Sequence, residues 1–233
     1  MRRHGPGRSI STAALVLVML AATPAIAGEG YSKQQQLVEK AQLTLEKFAA
    51  SPNIGWTPTQ ARYAKAILIV PQLLKGAFLF GFEGGTGILL VRDEETGEWS
   101  QPAFYKLRTG SFGLQIGAQS SDMVFLVMTT KGVESFYSSS FRLGGDVSIA
   151  LGPVGAGAKG QTSLTFSFDM LAYTSDQGVF AGISAEGAGV ITRAKWNEAY
   201  YERGTRPTDI LVKRTVSNPG TEKLRAALAE KMQ

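Results

Sequence analysis

From Gly76 to Gly189 the chain places 20 of its 27 glycines among short apolar and aromatic runs, and this arrangement restricts the fold more than any other feature. Glycine costs a helix interior about 1 kcal/mol relative to alanine, whereas inside a strand it marks a bulge or a close approach of backbone. The stretch is therefore expected to form a strongly curved sheet with tight turns. Gly87 to Arg92 and Ala103 to Arg108 flank the turn-rich run Asp93-Glu94-Glu95-Thr96-Gly97-Glu98 and read as a hairpin. Phe112, Leu114, Ile116 and Ala118 alternate with Gly113, Gln115 and Gly117, the pattern of a half-buried strand. Met123 to Met128 is continuously apolar and reads as central, and Phe166, Phe168 and Met170, then Val179, Ala181 and Ile183, continue the alternation.

Ahead of this region the grammar is helical. Between Tyr31 and Ala49, Leu37, Ala41, Leu45 and Phe48 recur at helical spacing opposite Lys33, Lys40 and Lys47. A second start follows at Thr57-Pro58-Thr59-Gln60, with Thr57 as cap and Pro58 at the first helical position. Ala61, Ala64 and Leu68 extend one face of it. Pro71 biases Val70 toward extended geometry, so Ile67 to Val70 reads either as the end of this helix or as a short buried strand. At the other end Thr221 to Met232 reads as a helix capped by Thr221, with Leu224 and Leu228 as its apolar stripe. The expected fold class is α+β: N-terminal helices packed on a curved antiparallel β-sheet or open β-barrel.

The first residues bear on location. Arg2, Arg3 and Arg8 form a positive n-region, Ile10 to Ala22 is apolar, and Ala25-Ile26-Ala27 is a small-residue cleavage site. The apolar run falls short of the roughly 20 residues of a membrane span. Residues 1–27 are expected to be a signal peptide and residues 28–233 a single exported domain, periplasmic or extracellular and peripheral to a membrane at most. The mature portion keeps 21 Lys+Arg against 19 Asp+Glu, net +2, too weak a field for nucleic acid. The charge is uneven, because residues 190–233 are net +4 and the body before them is acidic.

The one histidine is His4, and cysteine is absent, so the expected mature domain has no Ser-His-Asp or Cys-His nucleophile, no thiolate or imidazole metal site and no disulfide. No cofactor or metal is expected. Acid–base catalysis by carboxylates alone stays open, but no spacing singles out a pair. Asp93, Glu94, Glu95 and Glu98 do not follow the alternate-position pattern of a calcium loop and read as a solvated turn. Gly155, Gly157 and Gly160 match a dinucleotide fingerprint in spacing only, because Thr162 to Phe168, which is β-like, follows where a helix is required. Gly81 to Gly87 lacks the lysine of a phosphate loop and reads as a tightly turned or bulged strand pair.

Two segments are candidates for contact with a membrane. The N-terminal helix either packs on the sheet or lies in an interface with Lys33, Lys40 and Lys47 toward anionic headgroups. Along Ala103 to Arg108, period two sets Phe104, Lys106 and Arg108 on one face. That face is either a headgroup-facing edge or an ordinary solvated strand face.

A longer set of residues carries a family resemblance. Pro71-Gln72-Leu73-Leu74-Lys75-Gly76-Ala77-Phe78, Gly84-Gly85-Thr86-Gly87-Ile88-Leu89-Leu90-Val91-Arg92, Trp99-Ser100-Gln101-Pro102-Ala103 and Gly113-Leu114-Gln115-Ile116-Gly117-Ala118 resemble the SYLF family of lipid-binding domains. Phe141-Arg142-Leu143-Gly144, Gly152-Pro153-Val154-Gly155, the run from Tyr173 to Gly182 and Tyr200-Tyr201 look like its later motifs in the same order. The resemblance implies a non-enzymatic α+β module whose eukaryotic relatives associate with phosphoinositides and, in some members, with actin. For an exported, bacterial-type chain it implies an anionic phospholipid surface as partner; an envelope protein partner is the alternative. Bacterial relatives resembling lipoproteins attach through a cysteine, which this chain lacks.

Overall fold

The structure is a computed structural model and describes residues 32–51, 58–78, 80–111, 117–152, 168–175 and 187–233. The expected signal peptide, the cap at Thr57, the alternating residues 112–116, Phe166, the Val179 to Ile183 run and the three glycines from Gly155 to Gly160 lie outside the described residues.

Two helices, α1 (Lys33–Ala50) and α2 (Pro58–Tyr63), precede the strands β1 (Ala66–Phe78), β2 (Phe80–Val91), β3 (Ala103–Ser111) and β4 (Gly117–Val127). Then follow α3 (Thr130–Ser135), β5 (Ser140–Arg142), β6 (Ile149–Leu151), β7 (Met170–Thr174) and β8 (Gly189–Thr192). The chain closes with α4 (Ala194–Tyr200), α5 (Pro207–Leu211), a 3₁₀ turn (Pro219–Thr221) and α6 (Glu222–Lys231). The strands form one sheet in the order β5-β8-β3-β2-β1-β4-β7-β6, curled into a half-barrel. All neighbours are antiparallel except β6 and β7, which are parallel. The sheet is thus mixed rather than antiparallel: a parallel pair needs the chain to cross back between its strands, a path that turn signals do not announce.

Both sheet faces are covered, and this explains the continuous apolar runs. On one face Leu68, Val70, Phe125, Val127 and Tyr105 pack beneath Val133 and Phe136 from α3 and its end, and Ile210 and Leu211 of α5. On the other, Ile67, Ile69, Val124, Leu126 and Phe104 pack beneath Leu37, Ala41, Leu45 and Phe48 of α1 and Leu224 and Leu228 of α6. Alternation along β1 therefore sorts residues between two cores instead of between core and solvent. In this structure the apolar face of α1 is spent on this packing, the first of the two arrangements its sequence allows. Ser32 caps α1, its Oγ accepting the Gln35 amide at 3.1 Å.

Ile67 to Val70 is strand, and the strand continues through Pro71. The register with β2 and β4 shifts between Ile69 and Leu74, so Pro71 sits at a bulge, where its missing N–H takes no bond from the ladder. Gln72 there has φ 66°, and its amide donates to Asp122 Oδ1 at 3.2 Å. The C-terminal segment is also held closely. Thr221 does not cap α6 with its side chain; its hydroxyl donates to Gln101 Oε1 at 2.8 Å, while Arg225 Nε donates to the Trp99 carbonyl at 2.9 Å. Among the described residues no helix is long and apolar enough to cross a membrane.

Candidate functional site

The helices on the α1 face stop short of one end of the sheet. The boundary runs through Phe104. Its ring is fully buried and meets Trp196 and Tyr200 of α4 edge-on at 5.9 and 5.2 Å, while its amide donates to Asn197 Oδ1 at 2.8 Å. Phe104 therefore belongs to the core and is not part of an exposed edge, as the strand pattern had suggested. Parity along β3 was read correctly, but α4, distant in sequence, covers this one position.

Past that boundary the same face is open. Lys106 and Arg108 are exposed, and neither forms an ion pair among the described residues. Lys106 lies between Thr86 of β2 and Ile191 of β8, and Arg108 between Gly84 of β2 and Gly189 of β8. Gly84 in turn faces Leu74 of β1. Leu74 is 50% and Ile191 37% exposed, so two aliphatic side chains share the surface with the cations. A Cβ built on Gly84 would meet only the Leu107 carbonyl, at 3.4 Å, which leaves the floor beside Arg108 low.

A third cation borders the strip. Arg193 follows β8; its guanidinium lies 3.6 Å from the Trp196 ring centroid and donates from Nη1 to Thr86 Oγ1 at 2.8 Å. Burial lowers its pKa from the usual guanidinium value, yet arginine remains charged under any physiological condition. Neighbouring strands stand about 4.8 Å apart and alternate residues about 6.6 Å, so these charges lie within one Debye length of each other at physiological salt. Their mutual repulsion favours an anion on the open side.

The N-terminal lysines are not gathered here. Lys33 and Lys40 are exposed on α1, and Lys47 pairs with Asp122 of β4 at 2.7 Å. Since Asp122 also holds the Gln72 amide, Lys47 pins α1 to the bulge, which makes it a structural contact.

The acidic loop is a turn. Asp93 Oδ1 accepts the Glu95 and Thr96 amides at 3.0 and 2.8 Å, and the Thr96 bond foremost lowers its pKa. Gly97 closes the turn at φ 75°. Among the described residues no three His, Cys, Asp or Glu side chains group to hold a metal.

Sequence reasoning passed over Leu74, Thr86, Ile191 and Arg193. The spacing Arg193-Ala194-Lys195-Trp196 hints at a stacked pair across one helical turn, but nothing local joins it to Thr86, 107 positions away.

The architecture defines the class: an α+β half-barrel domain with both sheet faces packed and one end of one face left open and cationic. Within that class the chain belongs to the Ysc84 family, for residues 108–231, more than half of its 233, match the family described as Ysc84, Las17-binding protein actin regulator. The expected kinship with SYLF domains holds at this level. The chain is similar to the SH3 domain-containing YSC84-like protein 1 of Rattus norvegicus, 36% identical over 145 residues, which cover 62% of this chain and 42% of the relative. The Homo sapiens protein of that name is 34% identical over 149 residues, 64% of this chain and 43% of the relative. LAS seventeen-binding protein 3 of Saccharomyces cerevisiae (strain ATCC 204508 / S288c) is 33% identical over 147 residues, 62% and 32% of the two chains. The chain thus spans less than half the length of these relatives.

Proposed function

We propose that this chain is a non-catalytic module that binds anionic lipid headgroups reversibly, acting outside the cytoplasm after removal of residues 1–27. The observation that carries the reading is the open strip of β3. Two cations with no ion pair among the described residues, Lys106 and Arg108, stand beside a third, Arg193, and share their surface with exposed Leu74 and Ile191. A layer of phosphate groups over an apolar interior complements both parts. A basic residue near an anionic surface contributes about 1 kcal/mol. Replacing Lys106 and Arg108 together by alanine should therefore cost about 2 kcal/mol, or roughly thirtyfold in affinity, in co-sedimentation with phosphatidylglycerol-containing vesicles. Added salt should weaken wild-type binding in the same direction. Equal sedimentation of a correctly folded double variant would remove the strip as the site.

A second reading is favoured by the name of the yeast relative, LAS seventeen-binding protein 3, and by the family's description as Las17-binding. Under it the same strip docks an acidic protein surface, such as that of an envelope partner, and vesicles of any charge leave the chain in the supernatant. Mass spectrometry of protein recovered from outside the cytoplasm tests the location; Gly28 at the N-terminus is the expected result, and an intact Met1 chain in the membrane fraction would refute it.

A further inference from the structure

Arg193 is held more firmly than a surface cation usually is. Its backbone amide donates to the Phe104 carbonyl at 2.9 Å, next to the end of the β3–β8 ladder, where Tyr105 faces Thr192. Its guanidinium nevertheless bonds Thr86 of β2 at 2.8 Å, and β3 lies between β8 and β2 in the sheet. The side chain therefore crosses over β3, on the face that Thr86 shares with its register partner Lys106. Trp196 fixes the guanidinium from above, its ring centroid 3.6 Å away, and Trp196 is itself packed edge-on against the buried Phe104. Neither Arg193 nor Lys106 forms an ion pair among the described residues.

Three donors stand together there. Opposed residues on neighbouring antiparallel strands have Cβ atoms about 5 Å apart, so the Lys106 side chain starts beside the Thr86 hydroxyl. That hydroxyl accepts from Arg193 and keeps its own proton to give, while the guanidinium has N–H groups beyond the one that Thr86 takes. We propose that Arg193, Thr86 and Lys106 form a preorganised phosphate subsite within the open strip, with Arg193 as its specificity-determining residue. The proposal deepens the headgroup reading above and rests on it only for the source of the phosphate, a membrane lipid. A tetrahedral oxyanion suits donors arriving from β2, from β3 and from beyond β8, whereas a planar carboxylate is satisfied by a guanidinium fork alone. Immobility contributes as well as charge. A long side chain ordinarily gives up rotamer freedom when it meets a ligand, but Trp196 and Thr86 have already taken that freedom from Arg193.

Arg193→Lys keeps the charge and loses the planar fork, which separates the two effects. In co-sedimentation with vesicles of phosphatidylglycerol and phosphatidylcholine this variant should bind about tenfold more weakly than wild type. Thr86→Val, which keeps the shape of the strand, should weaken binding in the same direction, and it carries the comparison if Arg193→Lys lowers the melting temperature. Trp196 supplies a second readout: inorganic phosphate titrated into the purified chain without vesicles should change its tryptophan fluorescence, and Trp196→Phe should abolish the change. If wild type and both correctly folded variants sediment equally, the subsite is overturned and headgroup binding by Lys106 and Arg108 stands. If phosphate changes the fluorescence but wild type stays in the supernatant with vesicles, the subsite stands with free phosphate as its ligand and the lipid reading falls. A fluorescence that phosphate leaves unchanged would overturn the subsite. The same response to acetate at equal ionic strength would overturn the choice of phosphate and assign these residues to an acidic protein surface.

Discussion

Asp169→Asn is the substitution whose cost the structure sets most directly. Asp169 precedes β7 and joins three separate segments. Its Oδ1 accepts the Thr129 hydroxyl at 2.5 Å. Oδ2 accepts the Ser148 amide at 2.9 Å and the Ser148 hydroxyl at 2.8 Å, and Lys131 Nζ lies 3.5 Å away. Burial alone would raise the pKa of this carboxyl, but the bonds from Thr129 and Ser148, helped by Lys131, outweigh it and lower the pKa from 3.8 to about 2. At about 1.4 kcal/mol per unit, the ionised form stabilises the fold by on the order of 2 kcal/mol near neutral pH. Because the folded pKa lies below the unfolded one, this contribution is whole above about pH 5 and fades as pH falls through 3.8 toward 2. Asparagine keeps the shape and one acceptor but not the charge. Urea unfolding should show the variant weaker by about 2 kcal/mol at pH 7, with an unchanged m-value and a deficit that narrows steadily between about pH 5 and pH 2. Lys131→Ala should cost under about 0.5 kcal/mol, since its side chain is 68% exposed. A deficit independent of pH would show that the hydroxyl and amide contacts act through shape alone and would refute the electrostatic argument.

Two further substitutions examine the cores. Tyr105→Phe removes a buried hydroxyl that donates to the Phe136 carbonyl at 2.7 Å; stranding that acceptor should cost about 1–2 kcal/mol in the same urea assay, and a neutral result would mean that water replaces the hydroxyl. Gly87→Ala sets a Cβ 2.7 Å from the Ile69 carbonyl oxygen and 2.8 Å from Val70 Cγ2, so β1 and β2 must separate locally; thermal melts should show a loss of about 1–3 kcal/mol, and an unchanged melting temperature would contradict the close approach.

What the sequence determined alone is what local rules control. The pairing of β2 with β3 around the Asp93 to Glu98 turn, the amphipathic α1 and the central position of Met123 to Met128 follow from periodicity and turn chemistry, which act over a few residues. The order of short motifs likewise revealed the family before any contact was known. Tertiary structure decided matters that depend on partners distant in the chain. It placed Phe104 beneath α4 and left its same-face neighbours Lys106 and Arg108 uncovered, a distinction that parity along one strand does not contain. It carried β1 through Pro71, because Asp122 and Lys47 stabilise a bulge there. It set β6 parallel to β7, and it drew the Thr221 hydroxyl from α6 to Gln101. In each case a side chain has a choice of partners, local sequence states the options, and the free energy of burial and hydrogen bonding across the whole domain selects among them.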